Sequence, residues 1–363
     1  MGNVTMGYES PFAIHPGETI KEGLEESGMS QSELSIRTGI SEKTISLILN
    51  GKEPVSADTA LKIERVLNID QKLLVSMQAR YGADVTRLEE NERLCEETPL
   101  LSYYKCYSEL ARFGYVEKTN NKIKKVDNLL RFFNVHSLNF VPNVMQVSFK
   151  RRISEDVDKY ALTSWLRIGE IEAKKRKVSV FDKNRLTELL PQMRTLTQEH
   201  NNFSQKLVDL CAQVGVILLY IPHLKNTKVN GATYWVNDNP VVQMSLFNVY
   251  SDIFWFSFFH EIGHVLKHGK KDSFIDMCEA KNQDVNEAEK EANDFAEKLL
   301  IPDEKTFGVL VRTITRFNIQ EKIIHYARQI GIDPGIVAGR IAKDKNIWRH
   351  VAKLRTRLIF NNR

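Results

Sequence analysis

The segment His260-Glu261-Ile262-Gly263-His264 constrains this chain more than any other. Two histidines four residues apart share one face of a helix, with their imidazoles on adjacent turns. The stretch before them holds Phe254, Trp255, Phe256, Phe258 and Phe259, so the helix must be buried. Burying a polar triplet there is costly unless its members are paired or bind a metal. The spacing therefore predicts a helix over 250–267 in which His260 and His264 hold Zn²⁺, an ion that favours nitrogen donors in tetrahedral geometry. Two neutral imidazoles leave room for a carboxylate and a water. Glu261 is the expected catalytic residue, placed to take a proton from that water and pass it to a leaving amine.

A third metal ligand is expected from a second helix over 286–300, closed by Pro302. Its apolar stripe reads Ala288, Ala292, Phe295, Ala296 and Leu299. Glu291 lies beside that stripe and is the expected ligand, with Glu287, one turn earlier, as the alternative. Glu289 and Glu297 read as solvated. His268, a turn beyond His264, is placed to support the metal site or to touch substrate, and a surface role fits it equally. The chain's 4 cysteines, Cys95, Cys106, Cys211 and Cys278, form no CxxC pair, which argues against a disulfide framework or a cysteine zinc knuckle.

The run from Phe259 to His264, then His268, then Glu291-Ala292-Asn293-Asp294-Phe295-Ala296 and Leu299-Leu300-Ile301-Pro302, resembles the ImmA/IrrE family of metallopeptidases. The segment from Ile330 to Arg340 also resembles the stretch C-terminal to the metal helix in that family, so the likeness spans about 200–350. The resemblance implies a zinc-dependent peptidase beside, or fused to, a repressor-type DNA-binding domain. It also implies relief of a transcriptional repressor by cleavage or otherwise. His260 and His264 match the family's ligands, Glu261 its catalytic glutamate, and the acid of the later helix its third ligand. The long helical insert over 86–200 departs from the simplest members.

The first eighty or so residues show a different pattern. Helices are expected over 18–26, 31–38, 42–50, 56–67 and 70–81, punctuated by Gly28, Gly39 and Gly51. Ser30, Ser41 and Ser56 stand at the caps, and Glu33 is placed to close a capping box with Ser30. Short helices with a tight glycine turn between the second and third describe a helix-turn-helix domain. Lys43, Thr44 and Ser46 would then reach the major groove, and Gln31 a phosphate. Local acidic excess weighs toward the alternative, a small bundle for protein contact.

His15-Pro16-Gly17-Glu18, Met29-Ser30-Gln31-Ser32-Glu33-Leu34, Asn50-Gly51-Lys52, the run from Ser56 to Leu61 and Gln78-Ala79-Arg80-Tyr81 resemble the HigA-type antitoxins. That resemblance covers about 10–85. It implies a dimer on double-stranded operator DNA, beside a toxin gene.

Between the two ends, helices are expected over 123–133 and 160–177, and strands over 215–220, 231–236 and 241–246. The whole reads as a mainly α, multidomain chain. Its parts are a five-helix helix-turn-helix domain over 1–85, a helical connecting region over 86–195, an α+β zincin-like metallopeptidase domain over 196–310 and a basic helical extension over 311–363. At 363 residues, with 42% hydrophobic and 27% charged, the chain has the balance of a soluble globular protein and can build cores without staples. No apolar run approaches a bilayer span and no signal segment is evident, so a cytoplasmic protein is expected. The expected function is that of a DNA-binding regulator with a zinc endopeptidase acting on a regulatory protein or cognate toxin. The alternative is an antitoxin that uses the same fold mainly to bind or sense its partner.

Overall fold

The computed structural model describes residues 11–148, 157–247, 249–270, 274–277 and 287–360. Cys278 lies outside them. The chain divides into two compact units, Met1–Pro99 with Asn121–Val126, and Leu100–Asn120 with Asp127–Arg363.

The first unit contains α1 (Pro16–Ser27), α2 (Gln31–Thr38), α3 (Glu42–Leu49), α4 (Ala57–Leu67) and α5 (Gln71–Glu97). Ser30, Ser41 and Ser56 accept the backbone N–H of the residue three positions on, each at 3.1 Å, so each helix starts where its serine stands. The capping box forms only in half, because the Glu33 carboxylate pairs with Arg37 at 2.6 Å along the helix surface instead of turning back. Ile20, Leu34, Ile45, Ile63 and Leu74 close the core of this unit. The boundary expected at residue 85 falls inside α5, which continues for 27 residues. Ion pairs of Arg87 with Asp84, and of Arg93 with Glu90 and Glu97, line its second half, and no proline interrupts it.

The second unit begins with α6 (Tyr107–Arg112); α7 (Lys122–Phe133) spans the division, and α8 (Val141–Ser148), α9 (Lys159–Ala173) and α10 (Lys183–Thr195) follow. Next come α11 (Phe203–Gln213), β1 (Ile217–Ile221), β2 (Val229–Val236), β3 (Asn239–Ser245), α12 (Ser251–Lys267), β4 (Phe274–Met277) and α13 (Glu287–Leu300). It ends with α14 (Glu304–Thr313), α15 (Ile319–Ile330), α16 (Pro334–Lys345) and α17 (Trp348–Val351). The sheet order is β1-β3-β2-β4, with β1 and β3 parallel and the other pairs antiparallel. Asn237, at φ 55°, turns the β2–β3 hairpin. Pro240 sits in β3 ahead of the first residue paired with β1, where its missing N–H costs no ladder bond to that strand.

Both sheet faces are covered, and this revises the expected division of the chain. Alternate residues of β3 point opposite ways: Val242 and Met244 enter the core that contains α12, while Gln243 donates to the Trp165 carbonyl of α9 at 2.8 Å. The helix over 159–173 is therefore a layer of the sheet's own unit rather than a connector. The segment expected as a basic extension is likewise internal. Ile336, Val337, Ala338, Ile341 and Ala342 of α16 are buried in the core of α12. Asp333, at the start of α16, accepts from Ser251 Oγ at 2.6 Å, and Arg355 pairs with Asp252 at 2.8 Å. Basic residues occupy the outer face of these helices, which is why composition alone reads as an appendage. No helix among the described residues is long and apolar enough to cross a membrane.

Candidate metal centre

The metal helix is buried for its own reasons. Trp255, Phe258 and Phe259 are fully enclosed, and burial contributes roughly 1.5–3 kcal/mol for each such side chain. That anchorage carries His260, Glu261 and His264 inside with them, at 2%, 0% and 2% exposure. The imidazoles converge: their Nε2 atoms lie 3.0 Å apart.

The acid that meets them is Glu289. Its Oε2 lies 3.3 Å from His260 Nε2 and its Oε1 3.8 Å from His264 Nε2. Glu291 and Glu287, the acids expected from sequence, are exposed on α13. The correction is one of helical phase. At about 100° per residue, position 289 falls between Ala292 and Ala296 on the buried stripe, whereas position 291 is turned about 100° away from Ala292. The buried residues of α13 are Glu289, Ala292, Ala296 and Leu300, so the stripe is rotated from the one anticipated, and Glu289 is not solvated.

Outer contacts fix the histidines. His260 Nδ1 lies 2.9 Å from Asn293 Oδ1, one turn after Glu289. With Nδ1–H donated there, Nε2 keeps its lone pair toward His264 and Glu289, as a metal-binding imidazole requires. His268 Nε2 donates to the Ala288 carbonyl at 3.2 Å, tying the end of α12 to the residue before Glu289. Its expected supporting role thus acts on the backbone of α13. Phe274 of β4, a strand too short to stand out in the sequence, stacks on His264 at 3.9 Å between centroids. Gly263 completes the fit, since a Cβ there would lie 3.1 Å from Ala292 Cα and 3.2 Å from Phe295.

Glu261 faces the sheet. Its Oε2 accepts from Thr233 Oγ1 at 2.5 Å, a length typical of a hydroxyl donating to a carboxylate. Gly231, two residues earlier on the same face of β2, leaves the space the carboxylate fills, because a Cβ there would lie 2.8 Å from Oε1. Neither partner is evident from sequence. The alternation of β2 places both on one face, but no sequence signal pairs that face with α12.

The donor set can be tested against a metal by its spacing. Ligand atoms about 2.1 Å from one ion in tetrahedral array lie about 3.4 Å from each other. The three observed separations, 3.0, 3.3 and 3.8 Å, bracket that value. Two imidazoles and one carboxylate, all buried, are a group that could hold a metal ion.

In the first unit, Gln31 and Lys43 are exposed at the starts of α2 and α3. Thr44 and Ser46 are half-buried; Thr44 Oγ1 lies 2.9 Å from the capping Ser41 Oγ, and Ser46 contacts Asn50.

Comparison with known proteins locates two similarities. Residues 20–70 match a helix-turn-helix family, and residues 251–312 match the family described as the IrrE N-terminal-like domain. No curated protein matches the chain. Among solved structures, an addiction module antidote protein of the HigA family from Coxiella burnetii is 26% identical. The match covers 24% of this chain and 95% of that one, with a TM-score of 0.22. The chain thus fuses an N-terminal helix-turn-helix to an IrrE/ImmA-like peptidase-type domain with a buried His260, His264 and Glu289 cluster.

Proposed function

We propose that this protein is a DNA-binding regulator whose second unit is a zinc-dependent endopeptidase acting on a regulatory protein partner. The observation that carries the reading is the convergence of His260, His264 and Glu289 beside a buried Glu261 that Thr233 holds against the sheet. In this reading His260, His264 and Glu289 hold Zn²⁺, which when bound supplies Lewis acidity toward a water and a peptide carbonyl.

Glu261 then serves as general base and acid, taking a proton from the attacking water and delivering it to the leaving amine. Thr233 and Gly231 set its position, and the enclosing aromatic wall limits competing solvent. Gln31, Lys43, Thr44 and Ser46 are the proposed contacts to operator DNA, with Lys43 and Gln31 the most accessible. Cognate toxin, homodimer formation and a cytoplasmic setting belong to the same reading through the antitoxin-like sequence of the first unit.

The deciding experiment compares wild type with Glu261→Gln. Zinc content and partner binding are expected to be unchanged in the variant, while cleavage of the co-expressed partner is lost. Biological activity that survives intact in Glu261→Gln would overturn the peptidase reading in favour of a fold that binds or senses its partner.

A further inference from the structure

A cavity of about 340 Å³ opens along the N-terminal half of α12, between that helix, α13 and α16. It adjoins the metal centre. Phe256 and Ser257, in its wall, lie one turn before His260 and Glu261, and Asn230, also in its wall, precedes Gly231 on β2. A turn of helix rises about 5.4 Å, so one residue of an extended chain held over the centre can reach the cavity with its side chain.

Most of the wall is apolar, formed by Phe256, Leu300, Ile336 and Trp348 among others. Two charged groups break it. Asp252 is 8% exposed and spends Oδ2 on Arg355 at 2.8 Å, while its buried Oδ1 has no hydrogen-bond partner. Arg340 spends Nη2 on Glu297 and Glu304, each at 3.2 Å, and its buried Nη1 likewise has no partner. The two groups are near one another, because Gly339, the neighbour of Arg340, lies against the Asp252 carboxylate so closely that a Cβ would sit 2.5 Å from Oδ2.

A buried donor or acceptor left unsatisfied forfeits its hydration with nothing in return. One acceptor and one donor, already balanced in charge by Arg355 and by the two glutamates, call for a neutral group that both donates and accepts. A hydroxyl at the end of an aromatic ring meets the apolar wall and the polar pair together. We propose that this cavity is a specificity pocket for a tyrosine side chain of the substrate polypeptide, whose hydroxyl donates to Asp252 and accepts from Arg340. The proposal rests on the peptidase reading above.

The test measures binding without turnover, in the full-length Glu261→Gln protein. N-acetyl-tyrosinamide and N-acetyl-phenylalaninamide are titrated and followed by ligand-observed NMR. The tyrosine probe is expected to bind about tenfold more tightly than the phenylalanine probe, as hydrogen bonds to charged groups predict. Asp252→Asn should narrow that preference. Ile336→Trp, which fills the cavity, should abolish binding of both probes while the circular dichroism spectrum and melting temperature show a folded protein. Equal affinity for the two probes, no binding of either at millimolar concentration, or binding undiminished in folded Ile336→Trp would each overturn the pocket. Failure of the cleavage experiment alone would leave these binding results standing, so the two ideas fall separately.

Discussion

At the scale of single residues, the centre is governed by the cost of burying charge. Glu289 and Glu261 are both enclosed carboxylates, and each is tolerated because something polar meets it: two imidazoles in one case, the Thr233 hydroxyl in the other. Glu289→Ala removes one of three protein donors, so zinc affinity should fall further than in Asn293→Ala. Loss of Asn293, which only orients His260, should weaken zinc by roughly 10- to 100-fold. Glu291→Ala and Glu287→Ala should bind zinc as wild type does. Competition with a colorimetric chelator would rank the four variants, and a zinc defect in Glu291→Ala equal to that in Glu289→Ala would refute the assignment. The histidine pair is legible in the sequence because its spacing and its aromatic prelude both demand a buried face. The third donor is not, because α13 carries glutamates at 287, 289 and 291 and a small error in helical phase exchanges them.

At the scale of elements, the legible parts are those with local causes. Serine caps and glycine stops define α2, α3 and α4 to within a residue or two, since the cap bonds span only three positions. The elements that escape such a reading depend on distant partners: β4 exists through pairing with β2, and the role of α9 depends on the sheet it covers. The start of α1 yields a pH prediction. His15 is 7% exposed, and its Nδ1 accepts from Gly17 N at 3.0 Å, so it caps the helix in its neutral form. Burial pushes its pKa below the usual histidine value, outweighing the pull of Glu18. A depressed folded-state pKa means the unfolded chain takes up the proton more readily. The stabilisation from His15 is therefore complete above about pH 6.5 and is lost as pH falls below it. Thermal denaturation of the first unit should show a falling midpoint between about pH 7.5 and 5.5. His15→Asn, which caps without titrating, should flatten that slope, and an unchanged slope would remove His15 as its cause.

At the scale of the whole molecule, the division of labour differs from the linear one that composition suggests. The first unit has a core of its own, built by α1 to α5. The second is assembled from segments more than a hundred residues apart: α9 covers one face of the sheet, α12 the other, and α16 packs behind α12. This arrangement predicts that the chain cannot be trimmed to the residues bearing the motif. Ending it at residue 310 removes Ile319, Ile323, Ile336, Val337 and Ile341 from the core. At roughly 1.5–3 kcal/mol each, that loss is on the order of 10 kcal/mol, comparable to the entire stability of a typical domain. The fragment 1–310 should therefore retain the melting transition of the first unit, lose that of the second and bind no zinc. The fragment 1–99 should melt cooperatively by circular dichroism. If 1–310 binds zinc with the affinity of the full chain, the C-terminal helices are an appendage after all, and the site is held by α12, α13 and the sheet alone.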